Sequence, residues 1–308
     1  MLRGFAEDLK HEFRGYNSAA LMKDLMAGLT VTAVALPLAL AFGVSSGADA
    51  ASGLITAIIA GLVMSLLAGG YYQISGPTGA MAAILTSLVA GYGLDGVFIA
   101  TLLAGILLLL AGILRLGKLT SFIPAPVITG FTSGIAIVIA LGQIDNFFGT
   151  HSEGASTIAK LASYGTLGFH PNLTSVGIGL FVVLFMVFFP KKWNAVVPAS
   201  LVSIIITTAF SIFVGLDVPT VGTIPQTLFP EKRLLFSALD LTTVTNLIMP
   251  AFSIAILGMI ESLLCGASAG QMTGVRLKSN QERIAQGVGN ILLPFFGGIP
   301  ATAAIART

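Results

Sequence analysis

The sequence predicts an all-α membrane protein with many crossings, one of them broken in mid-bilayer. Hydrophobic residues make up 55% of the 308 and charged ones only 9%, where a soluble domain carries about a quarter charged. Mean hydropathy is +0.95. The stretch from Ala50 to Leu94 has no formal charge, yet it is interrupted by Gly69-Gly70-Tyr71-Tyr72-Gln73-Ile74-Ser75-Gly76-Pro77-Thr78-Gly79. A crossing helix takes about 20 apolar residues, so that stretch holds two crossings with irregular backbone between them. Such backbone is tolerated at membrane depth only where it is buried in protein or lines a cavity.

Residues 1–23 are charged and loosely amphipathic, with Leu2, Phe5, Leu9 and Phe13 at helical intervals. They lack the continuous apolar run and cleavage site of a secretory signal; a helix lying on the membrane surface is expected instead. Charge-poor runs then place crossings at 25–47, 51–69, 73–93, 97–114, 121–144, 172–190, 195–215, 242–265 and 280–297. A tenth segment begins near Pro300. Polar connections are expected at 145–170 and 216–240.

Basic residues set the orientation. With the N-terminus inside, the inner face collects Arg3, Lys10, Arg14, Lys23, Arg115, Lys118, Lys191, Lys192, Arg276, Lys278 and Arg283. Only Lys160, Lys232 and Arg233 fall outside. Cytoplasmic loops concentrate Lys and Arg, so a cytoplasmic N-terminus in a cell (inner or plasma) membrane is predicted. The net charge of +2 gives no case for nucleic acid, because the basic residues sit in short loops. Cys265 is the single cysteine. His11, His151 and His170 are too scattered for a metal cluster, and no hydrolase-type constellation is present, so no enzyme and no cofactor are expected.

At the break, proline suits the first turn of a helix, and Ser75 or Gly76 can cap it. The segment then starts in mid-membrane with free N–H groups and a positive dipole end, which favours anions. A proline-kinked ordinary helix is the other reading. Ser75-Gly76-Pro77-Thr78-Gly79-Ala80-Met81-Ala82-Ala83-Ile84 is echoed by Gly298-Ile299-Pro300-Ala301-Thr302-Ala303-Ala304-Ile305. The two lie seven crossings apart on the span count, which puts them in opposite orientations. Paired interrupted segments of inverted halves point to a transporter's substrate site; coincidence among small residues is the alternative.

Two charges stand alone. Twenty uncharged residues, Leu241 to Ile260, precede Glu261, which at about 1.5 Å per residue lies roughly 30 Å along its helix from Asp240. A carboxylate inside a membrane segment is a functional candidate by default, to be neutralised by a proton or a bound cation; an interfacial pair with Arg276 or Lys278 is the competing reading. Arg307, two turns beyond Pro300, could add positive charge near the anion site.

These residues resemble the membrane domain of the SulP anion transporters, whose animal members include sulfate, chloride and bicarbonate carriers. The matching features are Ala35-Leu36-Pro37 with Ala39, Ala41 and Phe42, then Ile74 to Gly79, and Gly258-Met259-Ile260-Glu261-Ser262-Leu263-Leu264. Further along come Ser279-Asn280-Gln281-Glu282 with Gln286, Gly287 and Asn290, and Gly298-Ile299-Pro300 running to Arg307. The resemblance implies fourteen segments as two inverted seven-helix repeats, with half-helices at segments 3 and 10 whose N-termini face each other across the anion. It divides the chain into 1–23 (cytoplasmic segment), 24–216 (first repeat), 217–241 (extracellular loop) and 242–308 (start of the second repeat). By position it implies substrate contacts at Phe42, Ser75, Thr78, Gly79, Ala301, Thr302, Ala303 and Arg307, with Glu261 as the coupling site for H⁺ or Na⁺. Segments 11 to 14 and the family's cytoplasmic STAS domain are expected beyond these residues, and members are commonly dimers, so a homodimer is one expected assembly.

Two departures bear on chemistry. Leu38 stands where many members have glutamine. Cys265 stands where a hydroxyl would help hold Na⁺, and a thiol is a poor ligand for a hard cation, which favours protons. The expected function is coupled transport of a small anion (sulfate, bicarbonate, chloride or a dicarboxylate) by alternating access; a nucleobase permease of the same fold and an uncoupled anion channel are the alternatives.

Overall fold

The computed structural model describes residues 10, 13–117, 125–154, 156–194, 197–218, 232–235, 240–305 and 307–308. The surface helix expected over 1–23 rests on Leu2, Phe5 and Leu9, which lie outside the described residues, as does most of the 217–241 loop.

Helix α1 (Ser18–Ser45) starts ahead of the charge-free run because the Asn17 side chain caps it, accepting from the Ala20 amide. Asp49 caps α2 (Ala50–Leu67) in the same way through the Ser52 amide at 2.7 Å. Helix α3 (Gly79–Ile113) has two limbs joined at Gly93, whose φ of 66° and ψ of −171° are not helical. Met81 on the first limb and Leu108 on the second both meet Gly258 of a later helix, 3.5 and 3.9 Å from where its Cβ would stand. An unbroken helix would hold Met81 and Leu108 about 40 Å apart, so the chain doubles back at Gly93 and the two limbs correspond to the separate segments expected at 73–93 and 97–114. Glycine fits there because it reaches positive φ without a Cβ penalty.

Helices α4 (Ala125–Gly142), α7 (Leu173–Phe188) and α9 (Ala199–Val214) follow the expected spans. The connection expected to be merely polar at 145–170 carries two helices, α5 (Ile144–Phe148) and α6 (Thr157–Leu167). Polar composition concealed them: the Asp145 carboxylate accepts from the hydroxyls of Thr150, Ser152 and Tyr164 and ties the two together. Short α8 (Lys191–Asn194) precedes α9. Helix α10 (Leu241–Thr273) outruns the expected 242–265, since a charge does not end a helix; Gly274 ends it in the left-handed region. Helix α11 (Ser279–Leu292) and a 3₁₀ turn (Leu293–Phe296) complete the expected ninth span.

Among the described residues, α1, α2, α3 and α10 are long and apolar enough to cross a membrane. The buried core joins α3 to α10 through Leu85, Phe98, Ile99, Leu108, Leu247 and Ile254. Helix α11 lies against the second limb of α3 so closely that a Cβ on Gly105 would sit 2.6 Å from the Ile291 amide nitrogen. Small residues permit such approach in lipid, where packing rather than water exclusion drives association. Val187, Phe188 and Phe213 on α7 and α9 face outward, as a lipid-exposed surface requires.

Candidate functional site

The two interrupted segments cross. Strand β1 (Ser75–Gly76) pairs antiparallel with β2 (Thr302–Ala303), Ser75 opposite Ala303 and Gly76 opposite Thr302. The Ala304 amide continues the pairing to the Ile74 carbonyl at 2.9 Å. Backbone polar groups at membrane depth must be satisfied within the protein, and this crossing satisfies both segments at once.

The pairing changes how each segment begins its helix. Ser75 and Gly76, expected as caps, are spent in the strand. The cap is Thr78, extended at φ −127° and ψ 157°, whose hydroxyl oxygen accepts from the Met81 amide at 3.3 Å. Pro77 precedes the cap, and the amides of Gly79 and Ala80 open α3 without intrahelical acceptors. On the second segment Pro300 precedes a strand instead of starting a half-helix; the first helical hydrogen bond there runs from the Thr308 amide to the Ala304 carbonyl at 3.0 Å.

Consecutive residues of α10 hold both segments. Glu261 Oε2 accepts from the Thr78 hydroxyl at 2.9 Å. The Ser262 and Thr302 hydroxyls lie 3.0 Å apart, and Thr302 donates to the Gly258 carbonyl at 3.1 Å. A hydroxyl has one proton, so Ser262 is the donor to Thr302. The Ser262 carbonyl accepts from Gln73 Nε2 at 2.7 Å. Glu261 therefore turns to Thr78 and not to Arg276 or Lys278, the partners of the interfacial reading.

Helix α11 braces the crossing from the other side. Glu282, Gln286 and Asn290 recur at four-residue spacing, one face of a helix. Glu282 accepts from the Gly69 amide at 3.0 Å and from Gln286 at 2.8 Å, and Gln286 also donates to the Ser75 hydroxyl at 2.9 Å. Asn290 accepts from the Ala301 amide and donates to the Ala301 carbonyl, both at 2.9 Å. From α2, Thr56 accepts from the Ile299 amide at 2.8 Å. These bracing residues received no role in the sequence reading. The available signal was the polar stripe at 282, 286 and 290 inside an expected crossing.

The candidate residues thus divide. Ser75, Ala301 and Thr302 are almost wholly buried, and their polar groups are engaged in the scaffold. Thr78, Gly79, Ala303, Glu261 and Arg307 gather at the crossing, and Phe42 lies against Gly79, where a Cβ would come 3.1 Å from its ring. Arg307 is 6% exposed, donates through Nη2 to the Pro77 carbonyl, and leaves Nε without a partner. Its guanidinium fills the space a side chain on Gly76 would need. Among the described residues no carboxylate lies within 4.0 Å of it, the single such ion pair being His151 with Glu153. A buried, uncompensated cation costs several kcal/mol, and here it stands beside the positive end of α3; the pair would be relieved by an anion. No three His, Cys, Asp or Glu side chains gather at metal-binding distance among the described residues.

The chain resembles known proteins over nearly all its length. It is 41% identical to a putative sulfate transporter, YvdB, of Bacillus subtilis across 96% of this chain and 56% of that one. It is 35% identical to the bicarbonate transporter BicA of a Picosynechococcus species across 92% and 52%. The chain spans about half the length of these curated relatives. Among solved structures, the transmembrane domain of a cyanobacterium BicA superposes with a TM-score of 0.85 at 32% identity, over 94% of this chain and 76% of that one. The murine anion transporter Slc26a9 in its inward-facing state shares the fold, with a TM-score of 0.80 at 19% identity over 93% and 52%. The inverted-repeat transporter fold follows. With the sulfate permease family model matching residues 21–308, crossing strands included, this chain belongs to the sulfate permease family.

Proposed function

We propose that the protein is a secondary active transporter of a small oxyanion such as sulfate or bicarbonate, driven by protons and working by alternating access in the cell membrane, with its N-terminus inside. The observation that carries this reading is the buried Arg307 guanidinium, without a carboxylate partner among the described residues, beside the free amides at the start of α3. The sulfate and bicarbonate transporters among its relatives support the substrate class. The anion sits at the Gly79 and Ala80 amides, with the Phe42 ring as its apolar wall and Arg307 setting the local potential.

Glu261 couples the proton through one hydroxyl. While Glu261 is ionised, the Thr78 proton points to it and Thr78 has only a lone pair left to turn toward the anion. A proton arriving on Glu261 lets the carboxyl donate to Thr78 Oγ1. The Thr78 hydrogen then rotates toward the anion, and its oxygen keeps the Met81 amide. Neutral Glu261 also stops repelling the anion. Protons are preferred over Na⁺ because the neighbouring Cys265 offers a thiol, and the Ser262 and Thr302 hydroxyls are bound to each other.

Uptake of labelled sulfate and bicarbonate into proteoliposomes under an imposed pH gradient tests the proposal. Saturable uptake that collapses in Arg307→Gln is expected. Uptake of uracil in place of either anion, or large non-saturating currents, would reject it.

A further inference from the structure

We infer that Lys160, at the start of α6, forms an outer capture site for the same oxyanions, one step before the site at α3. A single cleft is lined by Phe42 and Gly79 together with Ser156, Thr157 and Lys160. Its walls are otherwise uncharged, so Lys160 supplies the one formal charge among its lining residues. The amino ends of two helices open on this cleft: α3 at Gly79, and α6, where Ser156 caps the Ala159 amide. Each end favours a negative ion.

Lys160 has no carboxylate within 4.0 Å among the described residues. Asp145 is near enough to act on it electrostatically, but that carboxylate is occupied by the hydroxyls of Thr150, Ser152 and Tyr164. The ammonium makes no ion pair within 4.0 Å with that carboxylate, whose charge offsets part of its field. By the distribution of basic residues Lys160 falls on the outer side, where cations are scarce: Lys232 and Arg233 are the other two. A half-buried cation lining a cleft draws arriving anions toward it, which raises the rate of capture and not the rate of translocation.

The inference rests on the transport reading above, and the assay separates the two. With the complete protein in proteoliposomes, initial uptake of labelled sulfate and bicarbonate is measured against concentration and ionic strength. For Lys160→Gln the KM should rise about threefold to tenfold with kcat within about twofold, and the salt dependence should flatten. Lys160→Arg should restore both, and Lys160→Glu should raise KM further. Unchanged KM and salt dependence in Lys160→Gln, beside an active wild type, would overturn the capture site alone. A fall in kcat at constant KM that arginine does not rescue would also overturn it, since that marks a structural role. No anion uptake by the wild type would overturn the transport reading and the capture site together.

Discussion

Asn290 pairs with Ala301 as a strand would, its side-chain amide accepting from the Ala301 N–H and donating to the Ala301 carbonyl, both at 2.9 Å. One side chain thereby replaces a missing neighbour strand for a residue that is only 1% exposed. Asn290→Ala leaves both backbone groups buried and unpaired, at about 1–3 kcal/mol each. Thermal unfolding in detergent should shift down by several degrees. Asn290→Asp should recover only part of the loss, keeping the acceptor without the donor.

Thr78 has two duties, and two substitutions separate them. Thr78→Ser keeps the hydroxyl and should transport close to wild type. Thr78→Val keeps the shape, loses about 1 kcal/mol of helix capping, and removes the donor to Glu261. Proton-driven accumulation of sulfate should fall at least tenfold in the valine variant, measured as the ratio of internal to external anion.

Glu261 is expected to take up the coupling proton, so wild-type uptake should rise as external pH falls. Glu261→Gln mimics the neutral form permanently. It should exchange anion down a gradient at all pH values and lose accumulation against one; wild-type accumulation by this variant would defeat the coupling role.

The corner made by α5 and α6 should weaken in acid. Burial alone would raise the Asp145 carboxyl, but the hydroxyls of Ser152, Tyr164 and Thr150, with Lys160 nearby, outweigh it and hold the group below its ordinary value. A carboxylate lowered in the folded state stabilises above its unfolded pKa of about 3.9 and loses that stabilisation as pH falls through the folded value. Amide exchange across 150–167 should be slow at pH 6 and should accelerate, relative to the intrinsic rate, near pH 3. Asp145→Asn should show the faster exchange at both.

Orientation is open to a labelling test. In a Cys265→Ser background, a cysteine at Lys160 should react with an impermeant maleimide added to intact cells. A cysteine at Lys23 should react only after the membrane is opened.

The apolar helices were legible because bilayer thickness writes itself into charge-poor runs, and Asn17, Asp49 and Gly274 shifted only their ends. The break at Gly69 to Gly79 was legible because glycine and proline are conspicuous in an apolar stretch. Its partner at Pro300 was legible only as an echo. The pairing of Ser75–Gly76 with Thr302–Ala303 was hidden, since two-residue strands carry no periodicity and their register depends on a partner more than two hundred residues away. That hidden pairing moved the cap from Ser75 or Gly76 to Thr78. Thr56, Gln73 and Ser262 were hidden for a related reason: single polar residues in apolar helices look alike until their partners arrive.

Glu261 and Ser262 being neighbours on α10 has a mechanical consequence. Both arms of the cradle are bolted to one shaft, and Glu282, Gln286 and Asn290 weld the reverse side. Prising the arms apart would break that polar stitching all at once, so in the proposed cycle the cradle is expected to move as one body. Whatever slides during the proposed cycle should slide along greasy seams, such as the one where Ile139 of α4 meets Gly79 of α3.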